Sequence, residues 1–165
     1  MFSKLASHRS AWLLLAASAL ILEMIALFFQ YGMRLEPCVM CVYQRVAVLG
    51  ILAAGIIGAI APGTFIMRGL GIVAWVVSAG WGAKISYQHV QLQINPSPFA
   101  QCSYSPDFPS WFQVDKWFPA VFEVRGDCTD SVWHFLSLSM PQWMLIIFAA
   151  YLLVALAVVV GQLRK

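Results

Sequence analysis

The sequence predicts an all-α membrane protein, a four-helix bundle with one long loop on a single face, and three observations carry that reading. The chain has 165 residues, of which 61% are hydrophobic and only 10% charged, whereas soluble domains average about 25% charged residues. Its mean hydropathy is +0.79. Its uncharged runs approach the length that crosses a bilayer, about 20 residues each, and four such spans leave roughly half the chain for connections. A large soluble domain is thereby excluded.

The first span is expected over about 12–33, because Trp12 to Tyr31 is apolar except for Glu23 and Gln30. Lys4 and Arg9 precede it and Ala17-Ser18-Ala19 resembles a signal cleavage site, but the apolar run continues well past that site. A retained signal anchor is therefore expected rather than a cleaved peptide. Val46 to Ala61 is uncharged and extends backward to Val42, giving a second span over about 42–61. Gly69 to Ala83 and Trp143 to Val160 give the third and fourth, over about 69–87 and 143–161. Residues 1–165 are read as one membrane domain, with loops over about 34–41 and 88–142 on the same face.

Charge sets the orientation. Lys4, Arg9, Arg68, Arg164 and Lys165 share one side with no acidic residue, while Glu36, Asp107, Asp115, Glu123, Asp127 and Asp130 share the other. The positive-inside rule then puts both termini and the loop around Pro62 to Arg68 in the cytoplasm. The other two loops face outward.

All four cysteines fall in those outer loops. An even count confined to one face reads as disulfide chemistry in an oxidising compartment, and of the three pairings that four cysteines allow, local pairing within each loop is favoured. Structural zinc would want a second tight pair, and Cys102 and Cys128 are far apart in sequence. Plain staples are the bland alternative. Cys38-Val39-Met40-Cys41 tips the balance, since it stands where a loop turns into helix. There the dipole and free N–H groups lower a thiol's pKa and make its bond exchangeable.

Arg45 follows Cys41 by four residues and so shares its helical face, about 6 Å further along the axis. A guanidinium there would hold a Cys41 thiolate or an anionic partner, although arginines near helix ends also simply snorkel to head groups. A dithiol oxidised repeatedly must pass its electrons on. The chain has no Gly-x-Gly-x-x-Gly fingerprint for flavin or nicotinamide. His8, His89 and His134 all lie outside the span centres, which excludes intramembrane haem ligation. A diffusible, lipid-soluble acceptor remains, which in a bacterial-type membrane means a quinone.

Several segments together resemble the DsbB family of disulfide bond formation proteins. They are Cys38-Val39-Met40-Cys41 with Arg45, Tyr87-Gln88-His89 leading to Gln93, and Pro96 through Cys102. Gly126-Asp127-Cys128 and Met140-Pro141-Gln142-Trp143 complete the set. The resemblance covers nearly the whole chain. It implies catalytic Cys38, Cys41, Cys102 and Cys128, with disulfides Cys38–Cys41 and Cys102–Cys128, and a quinone site drawn from Arg45, His89, Gln93, Met140 and Glu23. By that likeness Cys102 forms a mixed disulfide with a DsbA-like periplasmic oxidant, Cys128 then joins Cys38, and Cys41 is left to meet ubiquinone or menaquinone. The implied setting is the bacterial inner membrane, with no metal, flavin, haem or nucleic acid involved. A paralogue dedicated to one partner, or a non-enzymatic tetraspan with structural disulfides, is the alternative.

Three further expectations come from the residues themselves. Glu23, about 12 Å inside the outer end of the first helix, either pairs with Arg45 or Lys84 or stays protonated and supplies a proton. Trp111, Phe112, Trp117, Phe118, Val121 and Phe122 form either a short interfacial helix or a packed cap on the bundle. Gly50, Gly55, Gly58, Gly69, Gly71, Gly80 and Gly82, with Ala53, Ala54 and Ala79, are expected to let the second and third helices approach closely.

Overall fold

The computed structural model describes residues 6–95, 106–129 and 133–163. Among them four helices are long and apolar enough to cross a membrane. Helix α1 (Arg9–Leu27) runs into a π-helical turn (Phe28–Gly32), and α2 spans Val39–Ile60. Helix α3 spans Phe65–Ile94, the short helices α4 and α5 span Val114–Trp117 and Pro119–Phe122, and α6 spans Met140–Leu163. A two-residue hairpin, β1 (His134–Phe135) with β2 (Leu138–Ser139), leads into α6.

The bundle is laid out in sequence order, with α1 on α2, α2 on α3 and α3 on α6. Pro62 and Gly63 lie between α2 and α3, where a proline cannot continue a helix, so the two run antiparallel across a short turn. Helix α2 is the most enclosed of the four. Leucines, isoleucines and valines left on the outside are what lipid solvates, since hydrocarbon needs no polar outer face.

Helix α3 differs from the sequence expectation. It continues through Ile94 instead of ending near Tyr87, which places His89 and Gln93 on its last two turns and not in a loop. The polar tail Tyr87 to Gln93 hides this extension from a reading based on apolar runs, yet it contains no proline or glycine to stop a helix. Cys41 likewise lies inside α2, in its first turn.

The core centres on Trp12, Ile51, Ala54, Ala79 and Phe148, with Trp12 and Trp75 edge to face at 6.3 Å. The small residues serve more seams than expected. Gly50 meets Ser78 on the α2–α3 seam, but Gly55 and Gly58 admit α1, Gly82 admits Phe148 of α6, and Gly69 and Gly80 face open space. A Cβ at Gly58 would overlap the Trp12 indole. Gly58→Val is accordingly expected to destabilise the bundle by about 1–3 kcal/mol, read as a lowered thermal midpoint in detergent, while Gly80→Val leaves it unchanged.

The aromatic loop divides between the two roles considered for it. Val114 and Phe122 are buried against Val42 of α2, whereas Trp111, Trp117 and Phe118 are exposed and suit an interfacial belt. Two four-residue helices replace one continuous interfacial helix, since Pro119 cannot donate to the helix that α4 begins.

Candidate functional site

The site gathers at the end of the bundle where α2 starts and α3 finishes. Cys38 is the N-cap residue of α2, and its Sγ accepts the Cys41 backbone N–H at 3.3 Å. A sulfur thus does what serine or aspartate oxygens usually do at this position. The Sγ atoms of Cys38 and Cys41 lie 2.7 Å apart, within reach of the disulfide that the family resemblance implies. Contact with the Cys41 sulfur, then burial, pushes the Cys38 thiol above the ordinary thiol range.

The second pair comes within reach of the first. Cys128 is fully buried and disulfide-bonded, while Cys102, its expected partner, lies outside the described residues. Backbone N–H groups of Arg125 and Gly126 both donate to the Pro37 carbonyl, at 3.0 and 3.1 Å, and dock this strand on the turn before α2. Gly126 is required there because a Cβ would run into the Glu36 carbonyl. As a result the Cys38 sulfur, the Cys128 sulfur and a His89 ring nitrogen all lie within 4.8 Å of one another. These are metal-ligand types as well, but a sulfur already held in a disulfide is a poor ligand, since it is the thiolate that binds metal. Sulfur-to-sulfur exchange fits the geometry better.

His89 is buried. Its Nε2 is 3.7 Å from the Cys38 Sγ and its Nδ1 is 3.5 Å from the Gln44 amide nitrogen. The ring also hydrogen-bonds the Cys128 backbone, so His89 bridges the two cysteine segments. Sequence reasoning expects His89 beside a bound acceptor; it lines the cavity described below, but its ring contacts the thiol.

Arg45 is buried in α2, and it is held by α1 and α5. Nη1 donates to Gln30 Oε1 and to the Val121 carbonyl, both at 2.6 Å, and Nη2 donates to the Ala26 carbonyl at 3.0 Å. Gln30 sits in the π-helical turn and donates in turn to the Ala120 carbonyl at 3.0 Å, a carbonyl that the Tyr31 hydroxyl also reaches. Such turns recur at functional sites because they re-aim a side chain. All of Arg45's hydrogen bonds are to neutral acceptors, and the ion pair among the described residues is Arg125–Glu123 at the surface. Glu23 makes no direct ion pair with Arg45 or with the exposed Lys84, although the Glu23 and Arg45 charges are near enough to act on each other.

These groups surround a cavity of about 280 Å³ enclosed by α1, α2, α3 and α6. Leu22, Ile25, Phe29, Val48, Met144 and Ile147 supply its apolar walls, while Glu23, Gln30, Gln44, Arg45, His89 and Gln93 supply polar groups, and Cys38 and Cys41 reach it. Met140 lines it too, and Gln93 accepts from the Ser139 hydroxyl at 2.9 Å. The structure thus brings Cys38, Cys41, Cys128, Arg45, His89, Gln93, Met140 and Glu23 to one end of the bundle. Sequence reasoning does not select Gln44 or the Pro37 and Gly126 docking contact, and it notes Gln30 only as an interruption. A polar residue inside an apolar run is the available signal for both glutamines. Chemically, the arrangement brings the Cys38 and Cys128 sulfurs close enough for exchange at the mouth of a largely apolar cavity.

Comparison with known proteins agrees. A family model described as disulfide bond formation protein DsbB matches residues 8–158. Among curated relatives, the disulfide bond formation protein B of Aeromonas hydrophila is 52% identical over 98% of this chain and 94% of that protein. Those of Aeromonas salmonicida and Photorhabdus laumondii are each 53% identical, covering 98% and 93% of this chain and 94% and 90% of the relatives.

Proposed function

The chain belongs to the DsbB family of disulfide bond formation proteins, and from that premise we propose that it is an inner-membrane thiol:quinone oxidoreductase that reoxidises a DsbA-like periplasmic dithiol protein. The observation that carries the reading is the approach of Cys128 to Cys38 at the edge of a cavity that Arg45 lines. In the proposed relay a thiolate of the reduced partner attacks Cys102, which breaks the Cys102–Cys128 bond and frees Cys128 as a thiolate. Cys128 attacks Cys38 of the oxidised Cys38–Cys41 pair, forming Cys38–Cys128 and releasing Cys41 as the thiolate. The partner's second thiol resolves the mixed disulfide and leaves oxidised, and the Cys102 thiolate so freed attacks Cys128, re-forming Cys102–Cys128 and leaving Cys38 and Cys41 as the dithiol. Each step exchanges one S–S bond for another, with thiolate as nucleophile and leaving group.

A quinone fits the residues present. The apolar walls suit a ring and an isoprenoid tail, and the guanidinium and glutamine amides suit its oxygens. When bound it supplies oxidising power, taking up two electrons and two protons. On the protein side, Arg45 stabilises the negative charge of the Cys41 thiolate, and its three hydrogen bonds fix it in place beforehand. His89 lies between the Cys38 sulfur and the Cys128 backbone and holds the two cysteines at exchange distance. The charge distribution supports cytoplasmic termini and periplasmic cysteine loops.

The test uses purified protein in detergent, a reduced thioredoxin-like dithiol protein, and ubiquinone or menaquinone analogues followed by absorbance. Quinone loss that needs both partners, and that Cys102→Ser and Cys128→Ser stop, is the expected result. Wild-type protein that reduces neither quinone would overturn the reading. A finer expectation concerns docking. Gly126→Val pushes the strand off Pro37 and should slow the formation of Cys38–Cys128 at least about tenfold, since a misplacement near 1 Å costs that much or more. Reaction of the Cys38–Cys41 dithiol with quinone should stay unchanged in that variant, as single-turnover thiol trapping would show.

A further inference from the structure

Three carboxyl groups line the cavity, Glu23, Glu36 and Asp127, and of these Glu23 is the buried one. The residue is 7% exposed and lines the cavity from α1, and neither carboxyl oxygen has a hydrogen-bond partner. The other buried side chains with an unpartnered oxygen or nitrogen among the described residues are Trp75 and Ser86, and neither lines this cavity. Its polar neighbours are engaged: Arg45 with Gln30, Ala26 and Val121, His89 with Cys38 and Gln44, and Gln93 with Ser139. An ionised carboxylate kept in hydrocarbon without a hydrogen bond or ion pair costs several kcal/mol. A neutral acid in the same place is a proton donor facing an apolar cavity.

We propose that Glu23 is the catalytic proton donor to the quinone. This rests on the quinone reading above and adds the source of a proton to it. Oxidation of a dithiol to a disulfide releases two electrons and two protons, and a quinone takes up two of each to become the quinol. As the electron pair leaves the thiolate, the Glu23 O–H bond breaks and its proton forms an O–H bond on the nearer ring oxygen. The carboxylate left behind shares the cavity with the Arg45 cation, which holds it until it regains a proton from those the dithiol releases. The second proton comes from the same source. No further oxidant or acid is needed.

The experiment compares wild type with Glu23→Gln and Glu23→Asp in detergent, in the presence of ubiquinone. Infrared difference spectra with and without quinone read the carboxyl directly and need no turnover. Wild type should show the C=O stretch of a protonated carboxylic acid that shifts on quinone binding, and Glu23→Gln should lose that band. In single turnover, Glu23→Gln should fold and bind quinone as wild type does and form the Cys38–Cys128 bond at the normal rate, yet yield quinol about 100-fold or more slowly. Glu23→Asp should recover part of that rate. A wild type without the acid band, a Glu23→Gln variant that makes quinol at the wild-type rate, or a rate loss matched by equal losses of thermal stability and quinone affinity would overturn the proposal. Absence of quinone reduction in wild type, with the acid band present, would instead count against the underlying reading.

Discussion

Cys41→Ser is expected to stop electron delivery to quinone completely while leaving the rest of the chain folded and the other cysteine pair reactive. Serine preserves the first turn of α2, including the backbone N–H that the Cys38 sulfur accepts. It cannot form an S–S bond or present a thiolate at neutral pH. Because the relay's last thiolate is absent, no residual route exists, and quinone reduction should fall to the uncatalysed background. With no Cys38–Cys41 disulfide for Cys128 to attack, exchange should stop once the Cys102–Cys128 bond has oxidised one equivalent of partner, leaving Cys102 and Cys128 as free thiols. Mass spectrometry of trapped protein reads them. Steady quinone reduction by this variant would show that electrons leave from a different sulfur.

Arg45→Ala should produce the next largest loss, by a different route. Arg45 carries three hydrogen bonds from α2 to α1 and α5, and hydrogen bonds to a charged group contribute about 1.5–3 kcal/mol each. Loss of one such interaction with the acceptor or with the Cys41 thiolate corresponds to about 10- to 100-fold in quinone KM or kcat. Removing the anchor of α5 should also lower thermal stability. Arg45→Lys separates the effects, because an ammonium keeps the charge but lacks the planar fork that reaches Gln30, Ala26 and Val121 together. Restored quinone KM with reduced stability is the outcome expected for lysine. Alanine without effect on either quantity would remove Arg45 from the site.

Much of the fold was legible because lipid makes apolar length the dominant signal. The four spans follow from it, while the family was legible in short motifs such as Cys38-Val39-Met40-Cys41 with Arg45 and Gly126-Asp127-Cys128. The ends were less legible, since His89 and Gln93 ride on a polar extension of α3 whose helical state depends on packing beneath the docked loop. Cys38, Cys41 and Arg45 could be picked out by spacing, as they lie one helical turn apart, whereas the role expected of Cys102 and Cys128 came from the family resemblance. Gln30 and Gln44 could not, because their importance comes from what faces them: Arg45 across from α1, and His89 across from α2. Glu23 was visible as an intramembrane acid, but pairing and proton donation looked equally open until the structure turned Arg45 toward neutral acceptors. The Gly126 contact with Glu36 joins residues distant in sequence, and no local pattern announces such a meeting.

The central claim is that electrons from an outside dithiol end on a quinone by way of Cys128, Cys38 and Cys41. Anaerobic mixing of the protein with a known amount of reduced thioredoxin-like partner and excess quinone tests it most directly, by counting protein thiols lost and quinol gained. One quinol for each dithiol oxidised is the predicted result. Partner disulfide formed without a matching amount of quinol, or none formed at all, would contradict it.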